Sequence, residues 1–253
     1  MLKILISGAC GAMGKMVASV AENTDGVTVT AGVDAAEQAL AFPVYKSFAD
    51  IKEKPDVIID FSNVSLLEEM LRYAQKNSVP IVIGTTGYSE KQLKMIDDAS
   101  KNTAVFKTAN LSLGVNVLCR LVKQAALLLG ADFDIEIVEK HHHNKLDAPS
   151  GTALMLADTA NSVFNDRLRY EYDRHSKRAK RTENEIGVHS VRGGTIVGEH
   201  EVIFAGNNEV ISLSHTAESR TVFAAGAIKA AIFIADKKTG FYNMDDLLNI
   251  GGK

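Results

Sequence analysis

Gly8, Gly11 and Gly14, spaced three apart between an apolar run and a helical pattern, constrain the fold more than any other feature. Leu2 to Ser7 reads as a short strand, Lys15 to Ala21 as a helix, and Val27 to Val33 as a second strand closing at Asp34. Strand, glycine turn, helix, strand and terminal acid follow one another in the order of a dinucleotide-binding unit. Glycine there permits a tight turn and close approach of backbone to a pyrophosphate, which settles at the helix N-terminus. Gly8, Ala9, Cys10, Gly11, Ala12 and Met13 are therefore candidate cofactor contacts. The spacing is GxxGxxG rather than GxGxxG, so taken alone it also fits a glycine-rich turn in another α/β fold.

Asp34 stands where a carboxylate accepts hydrogen bonds from the adenosine ribose hydroxyls. The same charge repels a 2′-phosphate, and Ala35 offers no compensating cation, so the reading leans to NADH. NADPH stays the second candidate, because Lys3 or another base would serve if it reached the phosphate.

Further strands are expected over Pro55 to Phe61, Val79 to Ile83 and Ala104 to Lys107, with Ser62 capping a helix from Val64 to Gln75. Ligands of an open parallel sheet bind beyond the carboxyl ends of its strands. The turns after Phe61, Ile83 and Lys107 should therefore line one crevice with the glycine turn. That makes Gly84, Thr85 and Thr86, and Thr108, Ala109, Asn110 and Leu111, candidates for the nicotinamide half; as single turns they also read as plain connections.

Beyond Leu111 the style changes. A long helix over Gly114 to Leu129 leads to an alternating strand, Asp134 to Lys140, and three more strands follow at Gly187 to Arg192, Gly198 to Phe204 and Glu209 to His215. Such a run suggests an open mixed or antiparallel sheet with one face covered by its own helices, leaving the other for a partner. An oligomer joined sheet against sheet is expected. Phe223 to Ile234 reads as an apolar helix returning to close the first sheet. Asp166 to Arg181, rich in both charge signs, reads as a solvated helix end or loop. Arg192 suits either the anionic site or a structural contact.

The stretch from His141 to Thr152 says most about chemistry. It places imidazoles and Lys145 beside Asp147-Ala148-Pro149-Ser150, which has the residues of a helix entry, with Asp147 as the cap and Pro149 in the first turn. Unbonded N–H groups at a helix start, with the dipole behind them, bind carboxylate or phosphate. Mobile cations beside such a site suit a doubly negative substrate that must also receive a proton.

Other features exclude classes. A chain of 253 residues makes one large domain or two modest ones, and 46% hydrophobic with 23% charged residues is ordinary for a globular protein. A net charge of -3 argues against a general nucleic-acid binder. Cys10 and Cys119 imply no disulfide framework, and neither they nor His175, His189, His200 and His215 show metal-ligand spacing, so no metal is expected. Arg120 and Lys123 interrupt the longest apolar stretch, which argues against a membrane span, and no signal core precedes the first strand. The expected location is the cytoplasm.

The GACGAMG turn, IDFS, IGTTG, ANLSLGVNV, EKHHHNKLDAPSGTA and VRGGTIVGEHEVIF together resemble the 4-hydroxy-tetrahydrodipicolinate reductase (dihydrodipicolinate reductase) family over essentially the whole chain. The resemblance implies a Rossmann-like parallel-sheet domain from residues 1–110 and 220–253. An inserted α+β domain, residues 111–219, would carry an open, mostly four-stranded sheet for substrate binding and tetramerisation. It implies NAD(P)H-dependent reduction of 4-hydroxy-tetrahydrodipicolinate, via its dehydrated form, to tetrahydrodipicolinate on the diaminopimelate route to lysine. By the same resemblance, His141 is the proton donor or acceptor and Lys145 the second donor, while His142, Gly151 and Thr152 hold the substrate carboxylates. His143 and Asn144 vary between members and take no role. The absence of an Arg beside Asp34 departs from members of dual cofactor specificity. A dinucleotide-sensing regulator and a metal-dependent hydrolase are the alternatives from other classes.

Overall fold

The computed structural model describes residues 1–36 and 38–248. The chain divides into two units: Met1–Ser112 with the segment from Thr221 onward, and Leu113–Arg220.

The first unit opens with β1 (Leu2–Ser7), α1 (Ala12–Glu22) and β2 (Val27–Val33), followed by the two-residue β3 (Val44–Tyr45) and by β4 (Val57–Asp60). Ile4, Leu5 and Ile6 of β1 and all four residues of β4 are buried, the continuous apolar reading of a parallel sheet covered on both faces. α1 buries Gly14, Val17, Ala18 and Ala21, one stripe at helical spacing. After β4 a 3₁₀ turn at Val64–Leu66 precedes α2 (Leu67–Asn77). The Asn63 side chain caps that turn, accepting from the Ser65 N–H at 3.0 Å. The expected cap, Ser62, instead donates its hydroxyl to Asp60. Then come β5 (Ile81–Ile83), α3 (Glu90–Ser100) and β6 (Ala104–Lys107). A capping box between Ser89 and Gln92 starts α3.

The second unit begins with α4 (Leu113–Leu129), β7 (Asp134–His141) and α5 (Gly151–Ser162), then β8 (Arg169–Glu171), β9 (Glu185–Arg192), β10 (Gly198–Gly206) and β11 (Glu209–Ala217). Its sheet runs β11-β10-β7-β9-β8, antiparallel through β11, β10 and β7 and parallel through β7, β9 and β8. Five strands replace the expected four, because residues within the charged segment read as a loop form β8. Its neighbours are structural too: Arg174 bridges Glu136 and Glu185, Arg181 binds Glu136 and Asp134, and Lys177 pairs with Glu171. Ile135 and Ile137 of β7, Ile186 and Val188 of β9, and Val202 and Phe204 of β10 face the two helices. Leu118, Val122 and Ala126 of α4 and Leu156, Ala157 and Ala160 of α5 complete this core. By length and composition Leu113–Asp132 is apolar enough to cross a membrane, so Arg120 and Lys123 interrupt it less than expected. Its buried stripe is instead part of the sheet's core.

The chain then completes the first unit with α6 (Thr221–Ile234), β12 (Gly240–Tyr242) and α7 (Met244–Leu248). The sheet order is β12-β6-β5-β4-β1-β2-β3, with every pairing parallel. α6 buries small side chains, Ala224, Ala227, Ala230 and Ala231, and lies against α1 and the middle strands.

Candidate active site

Two constellations carry chemistry, one in each unit. In the first, the glycine turn is shaped by its own backbone. Gly8 has φ of +82°, and a Cβ there would stand 2.5 Å from the Phe61 carbonyl oxygen; a Cβ on Gly14 would stand 2.1 Å from the Gly8 oxygen. Only glycine meets both demands. The amides of Gly8 and Ala9 donate to the Val33 carbonyl, that of Gly11 to Gly8, and that of Cys10 to Asp34 Oδ2 at 2.9 Å. Burial and the neighbouring Asp34 push the Cys10 thiol above its ordinary range. These residues therefore build the turn. The first amides of α1, at Ala12 and Met13, meet no side-chain cap and no acid in the first turn, the condition that suits a pyrophosphate.

Asp34 is oriented from both sides, since its Oδ1 accepts from the Ala36 N–H at 2.9 Å. It lines a pocket of about 370 Å³ with Val44 and Lys46. Lys46 was not singled out from the sequence. Lys3, which was, lies at the amino end of β1, away from the carboxyl edge where the turns gather. The three turns do meet: Gly84, Thr86, Thr108, Ala109, Asn110 and Leu111 line a cleft of about 250 Å³ with Met13 and Phe61. Thr85 lines the adjoining cleft of about 390 Å³ with Ser62 and Asn63. An oriented acid at the end of β2, a bare helix start and a cleft at the carboxyl edge suit a nicotinamide dinucleotide.

In the second unit the site lies at one end of the helix-covered sheet face. Along β7 the inward positions run Ile135, Ile137, Glu139 and His141, so the core alternation turns polar at its last two members. Register brings Ser190 and His200 opposite Glu139, and Arg192 opposite His141. Glu139, wholly buried, is the hub. Arg192 donates to both its oxygens at 2.7 and 2.8 Å, and the Ser150 N–H donates at 3.1 Å. His141 Nδ1–H donates to Oε2 at 2.6 Å. Burial alone raises a carboxyl pKa, but the bonds from Arg192, Ser190, His141 and the Ser150 amide outweigh it and hold Glu139 down to about 2. A carboxylate only accepts, so the His141 proton on this side sits on Nδ1, leaving Nε2 for chemistry. Arg192 is thus a structural contact, with a second bond to the Asp147 carbonyl at 2.6 Å.

The helix entry differs from the sequence reading in its cap. Ser150, not Asp147, is the N-cap of α5, its Oγ accepting from the Ala153 N–H at 3.1 Å. Pro149 precedes the cap on a cis peptide instead of standing inside the first turn. Gly151 and Thr152 therefore begin the helix, with no acid in its first turn. Asp147 pairs with Lys145 Nζ at 2.8 Å, which lowers the Asp147 carboxyl pKa. His200, buried, sits 3.0 Å from Ser150 Oγ and edge-on to the His141 ring; burial, then the nearby His141, pushes its pKa down to about 4. Arg220, which sequence reading missed, lies 3.4 Å from Nε2 of His142. Burial, then Arg220, His141 and Lys145, lowers the His142 pKa. His141, His142, Lys145 and Arg220 thus interact with one another beside the start of α5. Among the described residues no group of three His, Cys, Asp or Glu side chains has the arrangement of a metal site.

The parallel sheet with its glycine turn and the pinned Asp34 at the end of β2 defines the class: a dinucleotide-dependent oxidoreductase. The family description "dihydrodipicolinate reductase, N-terminus" matches residues 2–111, and the corresponding C-terminus description matches residues 114–248. The chain is 52% identical to the 4-hydroxy-tetrahydrodipicolinate reductase of Caldanaerobacter subterraneus subsp. tengcongensis, over 99% of this chain and 100% of that protein. It is 46% identical to that of Clostridium tetani, over 98% of each. Among solved structures it resembles a dipicolinate-bound dihydrodipicolinate reductase from Paenisporosarcina sp. TG-14, with a TM-score of 0.79, 25% identity, and coverage of 97% of this chain and 99% of that one. The fold alone is shared with a myo-inositol dehydrogenase from Lactobacillus casei, TM-score 0.61 at 15% identity over 95% and 88% of the two chains. The chain belongs to the dihydrodipicolinate reductase family.

Proposed function

We propose that this enzyme reduces 4-hydroxy-tetrahydrodipicolinate, via its dehydrated ring, to tetrahydrodipicolinate, with the first unit binding the dinucleotide and the second the substrate. The observation that carries this reading is the buried Glu139 carboxylate, which with its partner Arg192 fixes both the His141 imidazole and the Ser150 cap of α5. The dinucleotide would lie with its adenosine ribose at Asp34, its pyrophosphate at Ala12 and Met13, and its nicotinamide half among Gly84 to Thr86 and Thr108 to Leu111. It supplies a hydride to the electron-poor conjugated carbon, and NADH is the partner that Asp34 favours.

The remaining work belongs to the chain. A doubly negative ring needs cations and oriented donors; His142 and the Gly151 and Thr152 helix start provide them, with Arg220 beside His142. Reduction leaves an enamine-like anion, which needs a proton. His141 delivers it from Nε2 while Glu139 steadies the imidazolium through Nδ1, and Lys145 offsets the developing charge and acts as second donor. Lys145 must exchange Asp147 for substrate, and the exposed carboxylate it leaves is readily solvated.

The outward face of the second sheet supports a homotetramer joined through those sheets. It presents Val191 and Val210, 45% and 62% exposed, with the Lys140–Glu199 pair between them on the same surface. The proposed setting is lysine biosynthesis through diaminopimelate in the bacterial cytoplasm. The decisive experiment follows nicotinamide absorbance on adding freshly formed 4-hydroxy-tetrahydrodipicolinate, with each cofactor in turn. Steady oxidation supports the reading. Binding of dinucleotide without turnover would make the chain a sensor instead.

A further inference from the structure

We propose that His200 is a positioning residue for the reduction: its ring holds the Ser150 cap, and so keeps the start of α5 in place against the His141 proton donor. The inference rests on the reductase reading above and adds to it a residue of β10. Along β10 the inward positions run Phe204, Val202, His200 and Gly198, so this strand, like β7, leaves its apolar alternation at the end nearest the site. Register sets His200 opposite Glu139. His200 Nε2 lies 3.0 Å from Ser150 Oγ, and its ring stands edge-on to that of His141 with centroids 5.1 Å apart. Gly198 completes the cradle, since a Cβ there would stand 3.0 Å from His141 Nε2.

Ser150 is clamped from two strands. Glu139 on β7 accepts from its N–H at 3.1 Å, while His200 on β10 meets its hydroxyl, which also accepts from the Ala153 N–H at 3.1 Å. The bond to Glu139 anchors the backbone of the cap but lets the chain turn about it. A second bond, from another strand, sets the direction in which Gly151 and Thr152 enter the helix. The ring does this uncharged. His200 is buried and its Nδ1 has no partner, so a second ring proton would stand as an unpaired buried donor on a cation. That cation would also face His141 at the moment the latter carries charge. A neutral imidazole bonded through Nε2 alone avoids both conflicts.

The test compares the full native chain with His200→Gln, His200→Asn and His200→Leu. It measures steady-state rates with 4-hydroxy-tetrahydrodipicolinate beside dinucleotide titrations and thermal midpoints. Glutamine carries a polar group to about the reach of Nε2, asparagine only to that of Nδ1, and leucine carries none. His200→Leu and His200→Asn should raise KM for the ring diacid by about tenfold, the scale of one buried hydrogen bond, with kcat lowered less. His200→Gln should recover KM to within about threefold of native, and dinucleotide affinity should hold throughout. An unmoved KM in His200→Leu, a glutamine variant as impaired as leucine, or losses that follow the thermal midpoint alone would each overturn the assignment. A native chain without turnover would sink the reductase reading instead. The role of His200 is then judged by calorimetry with pyridine-2,6-dicarboxylate, a ring diacid that accepts no hydride: the same order of affinities supports it, and equal affinities overturn it.

Discussion

Glu139 Oε2 and His141 Nδ1 stand 2.6 Å apart at the end of one strand, with the carboxylate wholly buried. The pair converts an ordinary strand end into a fixed imidazole, because Glu139 is held in turn by Arg192 from β9 and by the first amide before α5. Three elements therefore share a single anion.

Glu139→Gln should lower turnover by roughly 10- to 100-fold, the range seen when an orienting partner is lost, with dinucleotide affinity unchanged. Steady-state rates beside a dinucleotide titration would check this. An unaltered rate would show that His141 is oriented by something else.

The same carboxylate sets an acid limit on stability. Its folded pKa, about 2, lies below the ordinary carboxylate value, so its contribution is present above that ordinary value and is lost as pH falls toward 2. On the order of 3 kcal/mol is at stake from the size of that depression. Denaturant midpoints from pH 6 to pH 3 should fall more steeply for the native chain than for Glu139→Gln.

His200 governs a different window. With a folded pKa of about 4 against the usual 6.5, it resists protonation while the unfolded chain accepts it, so stability falls as pH drops from about 6.5 to about 4. Replacing it by glutamine, which keeps a polar group near Ser150, should flatten that part of the profile. Identical profiles between pH 6.5 and 5 would remove His200 from the account.

His141→Ala and Lys145→Ala should each reduce turnover by about 10²-fold or more, as expected for lost acid catalysis, with dinucleotide binding retained. Near-native turnover in either would reassign that proton. Lys145→Ala separates chemistry from folding most cleanly, since its partner Asp147 is exposed and remains solvated.

Asp34→Ala should weaken NADH more than NADPH in direct titrations, because it removes a ribose acceptor from one and a repulsion from the other. Equal effects would take the ribose away from Asp34.

Much of this was legible in the chain. The first strand-turn-helix-strand unit was readable because glycines and a continuous apolar run are strong local signals, and β1, β2 and β6 have the bounds their residues suggested. What escaped notice was short or non-local. β3, β8 and β12 are two or three residues each and exist only because a distant strand offers its edge. Helix α3 was overlooked although Ser89 and Gln92 spell its capping box, because its buried stripe is little more than Ile96 and Ala99. Glu139 carried a signal that counting makes plain. It lies an even number of residues from Ile135 and Ile137 and so shares their inward face, whereas Glu136 points the other way. An acid on the apolar side of an alternating strand is a site residue in waiting.

The sheet of the first unit takes its last strand and one covering helix from beyond Arg220. On the ribosome, the nascent chain must therefore carry β6 as a raw, unpaired border while the whole second unit is being made. A chaperone that shields strand borders would find its substrate in that interval, and a message truncated after Arg220 would yield a protein unable to bury its own first-made strands.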